Sequence, residues 1–203
     1  MRRRISKSEF LRKIAGLNFA LIGAPLISFA ESAEASIEPK RLLLNAARAV
    51  PNSKFDLLLY NGIIPADKRD GAEYLERLFS KNGWPPMWRW QLFGYTHYHP
   101  NTHECVGVAR GSATVQLGGD DGPKMAIKRG DVAVIPAGVG HKQISASADF
   151  LLVGAYPPGM APDVYRDDPA LMESARLRIS KVPMPKTDPV NGAFGGLLAF
   201  WKK

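Results

Sequence analysis

From residue 88 onward the chain is cut into seven short stretches: WRWQLFGY (88–95), ECVGVA (104–109), SATVQL (112–117), KMAIKR (124–129), DVAVIP (131–136), HKQIS (141–145) and DFLLVGAY (149–156). Each is rich in β-branched, aliphatic or aromatic residues, and glycine, proline, asparagine or aspartate separates most of them. Segments of this length are too short for ordinary helices, and many short strands at close spacing fold as a sandwich or barrel. LGGDDGPK (117–124) reads as a hairpin loop between two of them. The middle of the chain is therefore expected to be all-β.

The flanks read differently. Residues 41–50 form a short helical or irregular lead-in, and KFDLLLY (54–60) is a further strand stopped by Asn61 and Gly62. DGAEYLERLFSKNG (70–83) is the one convincing helix: Asp70 can cap its start, Tyr74, Leu75, Leu78 and Phe79 make an apolar stripe, and Asn82-Gly83 suits its end. After residue 160 prolines and glycines recur with no persistent period, so an extended tail wrapping the barrel is expected, with LLAFW (197–201) docking at its end. No internal repeat is visible, which predicts one barrel. The expected divisions are a lead-in strand and helix over 36–83, a barrel core over 84–160 and the tail over 161–203.

Residues 1–35 have the composition of an address. MRRRISKSEFLRKIAG carries six basic residues against one acid, LNFALIGAPLISFA is uncharged and apolar, and Ala33-Glu34-Ala35 has the small-x-small pattern of a cleavage site. Arg2 and Arg3, followed by Arg4, Ile5 and Lys7, resemble a twin-arginine signal, although Ser6 stands where leucine is commoner. A cleaved export signal and a periplasmic or secreted protein are expected, with an uncleaved anchor as the alternative. Cleavage would remove six basic and three acidic residues and lower the formal charge from +8 to +5. The remaining positive charge is scattered, without basic runs or aromatic-basic ladders, so neither nucleic acid nor stable membrane insertion of the mature chain is expected. A single cysteine, Cys105, cannot form an internal disulfide and reads as a small buried hydrophobe.

Three of the four histidines fall within seven positions of GYTHYHPNTHECVGVARG (94–111). Residues i and i+2 of a strand share a face, so His97 and His99 project together while Tyr98 points away. The turn PNTH lets Glu104, at the head of the next strand, return beside the pair, and His103 should then face the other way. His141 follows the glycine-rich turn PAGVG, whose backbone can approach whatever lies beneath it. Three imidazoles and a carboxylate suit one divalent first-row ion, namely manganese, iron, nickel, copper or zinc, with coordination positions left for water or substrate. Histidines satisfied inside a core are the alternative. Imidazoles must be neutral to ligate, so protons should displace the ion below about pH 6.

These residues also carry a family resemblance. HYHPNTHECVGVARG is similar to the first cupin motif, with His97, His99, Glu104 and Gly111 in place, and GDVAVIPAGVGHKQIS is similar to the second, with Gly130, Pro136, Gly138 and His141. Two departures stand out: two residues rather than five separate Gly94 from His97, and Ser145 replaces the closing asparagine. The resemblance implies an RmlC-like jelly roll, a double-stranded β-helix with the metal inside, and ligands His97, His99, Glu104 and His141. Cupins often pair through outer strands, which implies a homodimer. ERLFSKNGWPPMWR, VGAYPPG and VPMPKTDPV extend the resemblance to bacterial single-domain cupins of the YjlB type.

Four further residues are pocket candidates. Arg89 and Tyr95 share parity with His97 if the strand runs unbroken, and could hold a substrate carboxylate or phenol; Gln143 shares parity with His141. Plain strand packing is the alternative for each, because Gly94 could mark a bulge. His103 reads as a surface or supporting histidine, with ligation the alternative, and Trp84, Trp88 and Trp90 as core or dimer interface. The expected function is an exported cupin acting on a small, anionic organic molecule by metal-assisted oxidoreductase or lyase chemistry. A noncatalytic module that binds a sugar or small acid is the alternative, and whether the chain is an enzyme is left open.

Overall fold

The computed structural model describes residues 36–202, so the expected export signal lies outside the described residues. Eleven strands form two antiparallel sheets: β1 (Lys40–Leu42), β2 (Leu57–Tyr60), β3 (Pro86–Trp90), β4 (His97–Tyr98), β5 (Glu104–Arg110), β6 (Ser112–Leu117), β7 (Lys124–Lys128), β8 (Val132–Ile135), β9 (His141–Ala146), β10 (Leu151–Ala155) and β11 (Tyr165–Arg166). One sheet has the order β1-β2-β8-β5-β10-β3 and the other β11-β4-β9-β6-β7. Consecutive strands therefore mostly sit in opposite sheets or across a sheet from one another, the crossing pattern of a jelly roll.

Alternation assigns each face of the six-stranded sheet. Leu57, Leu59, Val106, Val108, Ile135 and Leu152 point inward and meet Val115, Leu117 and Ile127 of the facing sheet. Leu58, Tyr60, Cys105, Val132, Val134 and Val153 point outward, where they are covered by the helix α1 (Gly71–Lys81) through Leu75 and Phe79. Both faces are thus buried, which is why β2, β5 and β8 read as nearly continuous apolar runs. Asp70 caps α1, its side chain accepting the N–H groups of Ala72 and Glu73 at 3.0 Å.

Three local expectations are corrected. Within the lead-in, residues 40–42 are a strand, because β1 finds a partner in β2. The stretch 88–95 is not one strand: β3 stops at Trp90 and β4 starts at His97, with irregular chain between. The tail is irregular between its elements, has only the two-residue strand β11, and carries helices α2 (Met172–Ile179) and α3 (Leu197–Phe200). MESARLRI is built from good helix formers, and a 3₁₀ turn at Pro169–Leu171, capped by Asp168, leads into it. Three of the five prolines that suggest extension, Pro183, Pro185 and Pro189, lie after this segment.

One buried carboxylate ties the tail to the sheet. Asp188, fully buried, accepts from the Tyr60 hydroxyl at 2.5 Å, from the Val190 and Asn191 N–H groups at 2.8 Å, and from Leu197 N–H at 2.9 Å. Burial, followed by the Asp188 charge, pushes the Tyr60 phenol far above its ordinary value, so it stays a donor. Removing the acceptor leaves several buried donors unpaired at about 1–3 kcal/mol each. Asp188→Ala is therefore expected to lower the unfolding free energy in urea by about 3 kcal/mol or more; a loss under about 1 kcal/mol would show that the tail is held by packing alone.

Candidate metal centre

Four side chains meet at one end of the barrel interior. β4 lies between β11 and β9, and its register sets His97 directly opposite His141. His99 follows two residues on, and Glu104 opens β5 opposite Ile135. The PAGVG turn brings His141 in: Gly138 (φ +89°) donates its N–H to the His99 carbonyl at 2.9 Å, and a Cβ there would lie 2.5 Å from Ile179 Cδ1. Glycine is thus required by both the backbone conformation and the space.

Hydrogen bonds at the far side of each ring decide what faces the centre. His97 Nδ1 lies 3.3 Å from the Tyr95 carbonyl, His99 Nδ1 2.8 Å from that of Asp163, and His141 Nδ1 3.0 Å from that of Val139. A carbonyl only accepts, so each Nδ1 carries the proton and each neutral ring turns a bare Nε2 lone pair to the centre. The three imidazoles offer ligand atoms within 4.8 Å of one another. Glu104 Oε2 stands 3.2 Å from His141 Nε2 and 3.4 Å from His99 Nε2.

Those three atoms, His99 Nε2, His141 Nε2 and Glu104 Oε2, are buried with no hydrogen-bond partner. Lone pairs facing one another in an apolar interior are unfavourable unless a cation or a proton lies among them. With the His97 nitrogen these atoms make three nitrogens and one oxygen, a donor set that a divalent ion fits. The other carboxylate oxygen is already engaged: Tyr156 donates its hydroxyl to Glu104 Oε1 at 2.6 Å, and Trp88 Nε1 donates to the Tyr156 oxygen at 3.0 Å. Burial, followed by the Glu104 charge, keeps the Tyr156 phenol protonated.

The electrostatics follow from the same crowding. Burial, helped by the neighbouring His141 and His99, pushes the His97 imidazole down to about 3. Burial also works against a charge on His99, but Glu104 and the Asp163 carbonyl outweigh it and raise that ring above its ordinary value. Burial tends to raise the Glu104 carboxyl, yet the two imidazoles beside it hold it well below the usual range. A proton on His99 Nε2 thus competes with a metal for one position, whereas His97 stays neutral. Proton uptake on metal release then falls short of one per imidazole.

The pocket candidates separate. Arg89 does not reach the cavity: its guanidinium pairs with Glu76 of α1 through contacts of 2.6 and 2.7 Å on the outer face. Parity fails because the irregular stretch 91–96 intervenes, and Trp88 is the residue that points in, its indole lying where a Gly154 side chain would be, 2.0 Å from an ideal Cβ. Tyr95 stands beside the centre, its ring 5.9 Å from that of His97, stacked on Phe93 at 4.9 Å and under the Arg166 guanidinium at 4.0 Å. Gln143, half-buried, donates to Gln91 Oε1 at 3.1 Å and leaves its own Oε1 unpartnered. His103 is buried with its ring 4.9 Å from that of Trp201 and Nδ1 accepting from Ala137 N–H at 3.0 Å; burial pushes it down to about 4. It takes no part in the cluster. Tyr156 was not among the candidates, although continuing the inward alternation Leu152, Gly154 along VGAY points to it.

Behind His141 the barrel is filled by Leu57, Leu59, Val106, Val115 and Ile135, leaving an apolar void of about 20 Å³. That is room for about one water and no more.

Residues 92–153 match the cupin domain family, the class that the paired sheets and the interior cluster define. The uncharacterized protein YjlB of Bacillus subtilis (strain 168) is 42% identical over 155 residues, covering 76% of this chain and 91% of that protein. The chain belongs to the cupin superfamily and, within it, to the YjlB type. Among solved structures it is similar to a DUF861 family protein from Thermotoga maritima, at 22% identity over 48% of this chain and 96% of that one, with a TM-score of 0.31. It is also similar to the WlaRB TDP-quinovose 3,4-ketoisomerase from Campylobacter jejuni, at 15% identity over 66% and 95% of the two chains, with a TM-score of 0.34.

The geometry separates ligands from supports. His99→Ala and His141→Ala are each expected to lower metal affinity by more than the about 10–100-fold typical of losing a supporting group, and Tyr156→Phe by about that amount. His103→Ala should leave metal per folded chain unchanged by elemental analysis. Equal loss from all four variants would contradict this division.

Proposed function

We propose that this protein is an exported, metal-dependent cupin that acts on a small organic acid by oxidoreductase or lyase chemistry. The observation that carries the reading is the convergence of three buried, partnerless lone-pair atoms, on His99, His141 and Glu104, beside His97. His97, His99, Glu104 and His141 would hold one divalent ion. When bound, such an ion supplies Lewis-acid polarisation of a carboxylate or enolate oxygen, and redox capacity if it is iron or manganese.

The remaining work falls to the chain itself. Tyr156, fixed by Trp88, holds Glu104 so that only Oε2 faces the centre. The packed leucine and valine interior leaves room for no more than about one water behind His141, and so dry a wall strengthens charge interactions at the site. The space of about 20 Å³ behind His141 leaves no room there for a substrate, and the rings of Phe93 and Tyr95 flank His97 on another side of the centre. Arg166, stacked on Tyr95 and opposite His97 in the strand register, puts a cation near the centre and favours an anionic substrate. Export rests on the residue pattern of positions 1–35. Pairing into a homodimer is supported by β3, an edge strand that exposes Met87 and Trp90, the latter at 70%.

One native preparation tests the reading. Protein purified from its own host should begin near Ser36, sediment as a dimer, carry one divalent ion per chain, and convert at least one member of a panel of small carboxylic acids and enolisable keto acids. Conversion should disappear with chelator and return with the ion. A metal-containing preparation that binds panel members without converting any favours the noncatalytic binding module instead.

A further inference from the structure

His103, one residue before Glu104, faces away from the metal centre and lines a separate cavity of about 300 Å³ outside the barrel. α2 and the chain following it form one wall, residues 52–55 another, and Ala137 of the PAGVG turn lies between them. The volume is at the lower end of the about 300–1,000 Å³ usual for small-molecule sites.

Three features give this cavity a chemistry. Its walls are apolar through Phe55, Ile179 and Met184. His103, 2% exposed, accepts from Ala137 N–H through Nδ1, so the proton of its neutral ring sits on Nε2. That Nε2–H is buried without a well-formed hydrogen bond; the Pro183 carbonyl is close enough to favour the protonated ring against the effect of burial. Finally, the lining includes two exposed cations, Lys54 and Arg176, and among the described residues neither forms an ion pair.

We propose that this cavity is a second ligand site, which binds a small hydrophobic monocarboxylate with its apolar body against Phe55, Ile179 and Met184 and its carboxylate between His103 Nε2–H and the Arg176 and Lys54 cations. An oxygen acceptor satisfies the orphaned donor, and the charge of the acid distinguishes it from a neutral molecule of the same shape. The site lies on the outer side of the turn that carries His141 and needs no metal.

Calorimetric titration of the purified protein with phenylacetate, benzoate and hexanoate, each beside its primary amide, tests the assignment. At least one acid should bind saturably with one site per chain, its amide about tenfold or more weakly. Affinity should be unchanged by EDTA and in His141→Ala, and should fall about tenfold or more in the Lys54→Gln/Arg176→Gln variant, whose metal content stays at the wild-type level. The proposal is overturned if no acid saturates, if acid and amide bind alike, or if the double variant binds as well as wild type. Binding lost with EDTA would also overturn it while supporting the metal centre, because the acid would then sit on the ion.

Discussion

A carboxylate taken out of water costs several kcal/mol unless its oxygens find partners, and Glu104 sits 2% exposed inside an apolar barrel. One of its oxygens is satisfied by Tyr156, itself held by Trp88; the other faces only the lone pairs of His99 and His141. Neutral imidazoles cannot solvate it, since their Nδ1 protons are committed to backbone carbonyls on the far side. A cation among these atoms removes the conflict, and the rest of the local structure is arranged to present them to it. The backbone carbonyls of Tyr95, Val139 and Asp163 matter as much as the rings, because they set which nitrogen is free.

The two sheets bring these groups together. His97 and His141 meet because β4 and β9 are neighbours, and Glu104 arrives from the opposite sheet at the start of β5. The glycine at position 138 lets the turn before His141 lie against both the His99 carbonyl and the helix α2 behind it. The tail that supplies α2 is in turn fastened through Asp188 to Tyr60 on β2.

Much of this was legible from period-two alternation. The strands from 104 onward, the shared face of His97 and His99, the return of Glu104 and the opposite direction of His103 all follow from that rule, because those strands are regular and one face of each is committed to the interior. Arg89 was misplaced for the same reason that Trp88 was undervalued: parity cannot be carried across the irregular residues 91–96, and only the structure reveals the bare Gly154 surface beneath the indole. Tyr156 was readable by extending the β10 alternation one step. The helix α2 was hidden by the proline-rich chain that follows it, and the cavity beside His103 depends on that helix, so no local pattern could announce it.

The central claim is that the four side chains hold a divalent ion, and paired thermal melts with and without chelator test it most directly. Bound ion stabilises only the folded chain, by about 2.7 kcal/mol at a hundredfold excess over its dissociation constant, or about 5–10 °C for a domain of this size. His99 has a raised value, so protons begin to displace the ion at or above the ordinary imidazole range, while His97, held near 3, does not compete. The chelator-sensitive increment should therefore be complete well above the ordinary imidazole range of about pH 6.5 and already be shrinking as pH falls toward it. Identical melting with and without chelator at about pH 7.5, for protein purified with its native metal, would contradict the account: Glu104 and its imidazoles would then be reconciled by a proton rather than by an ion.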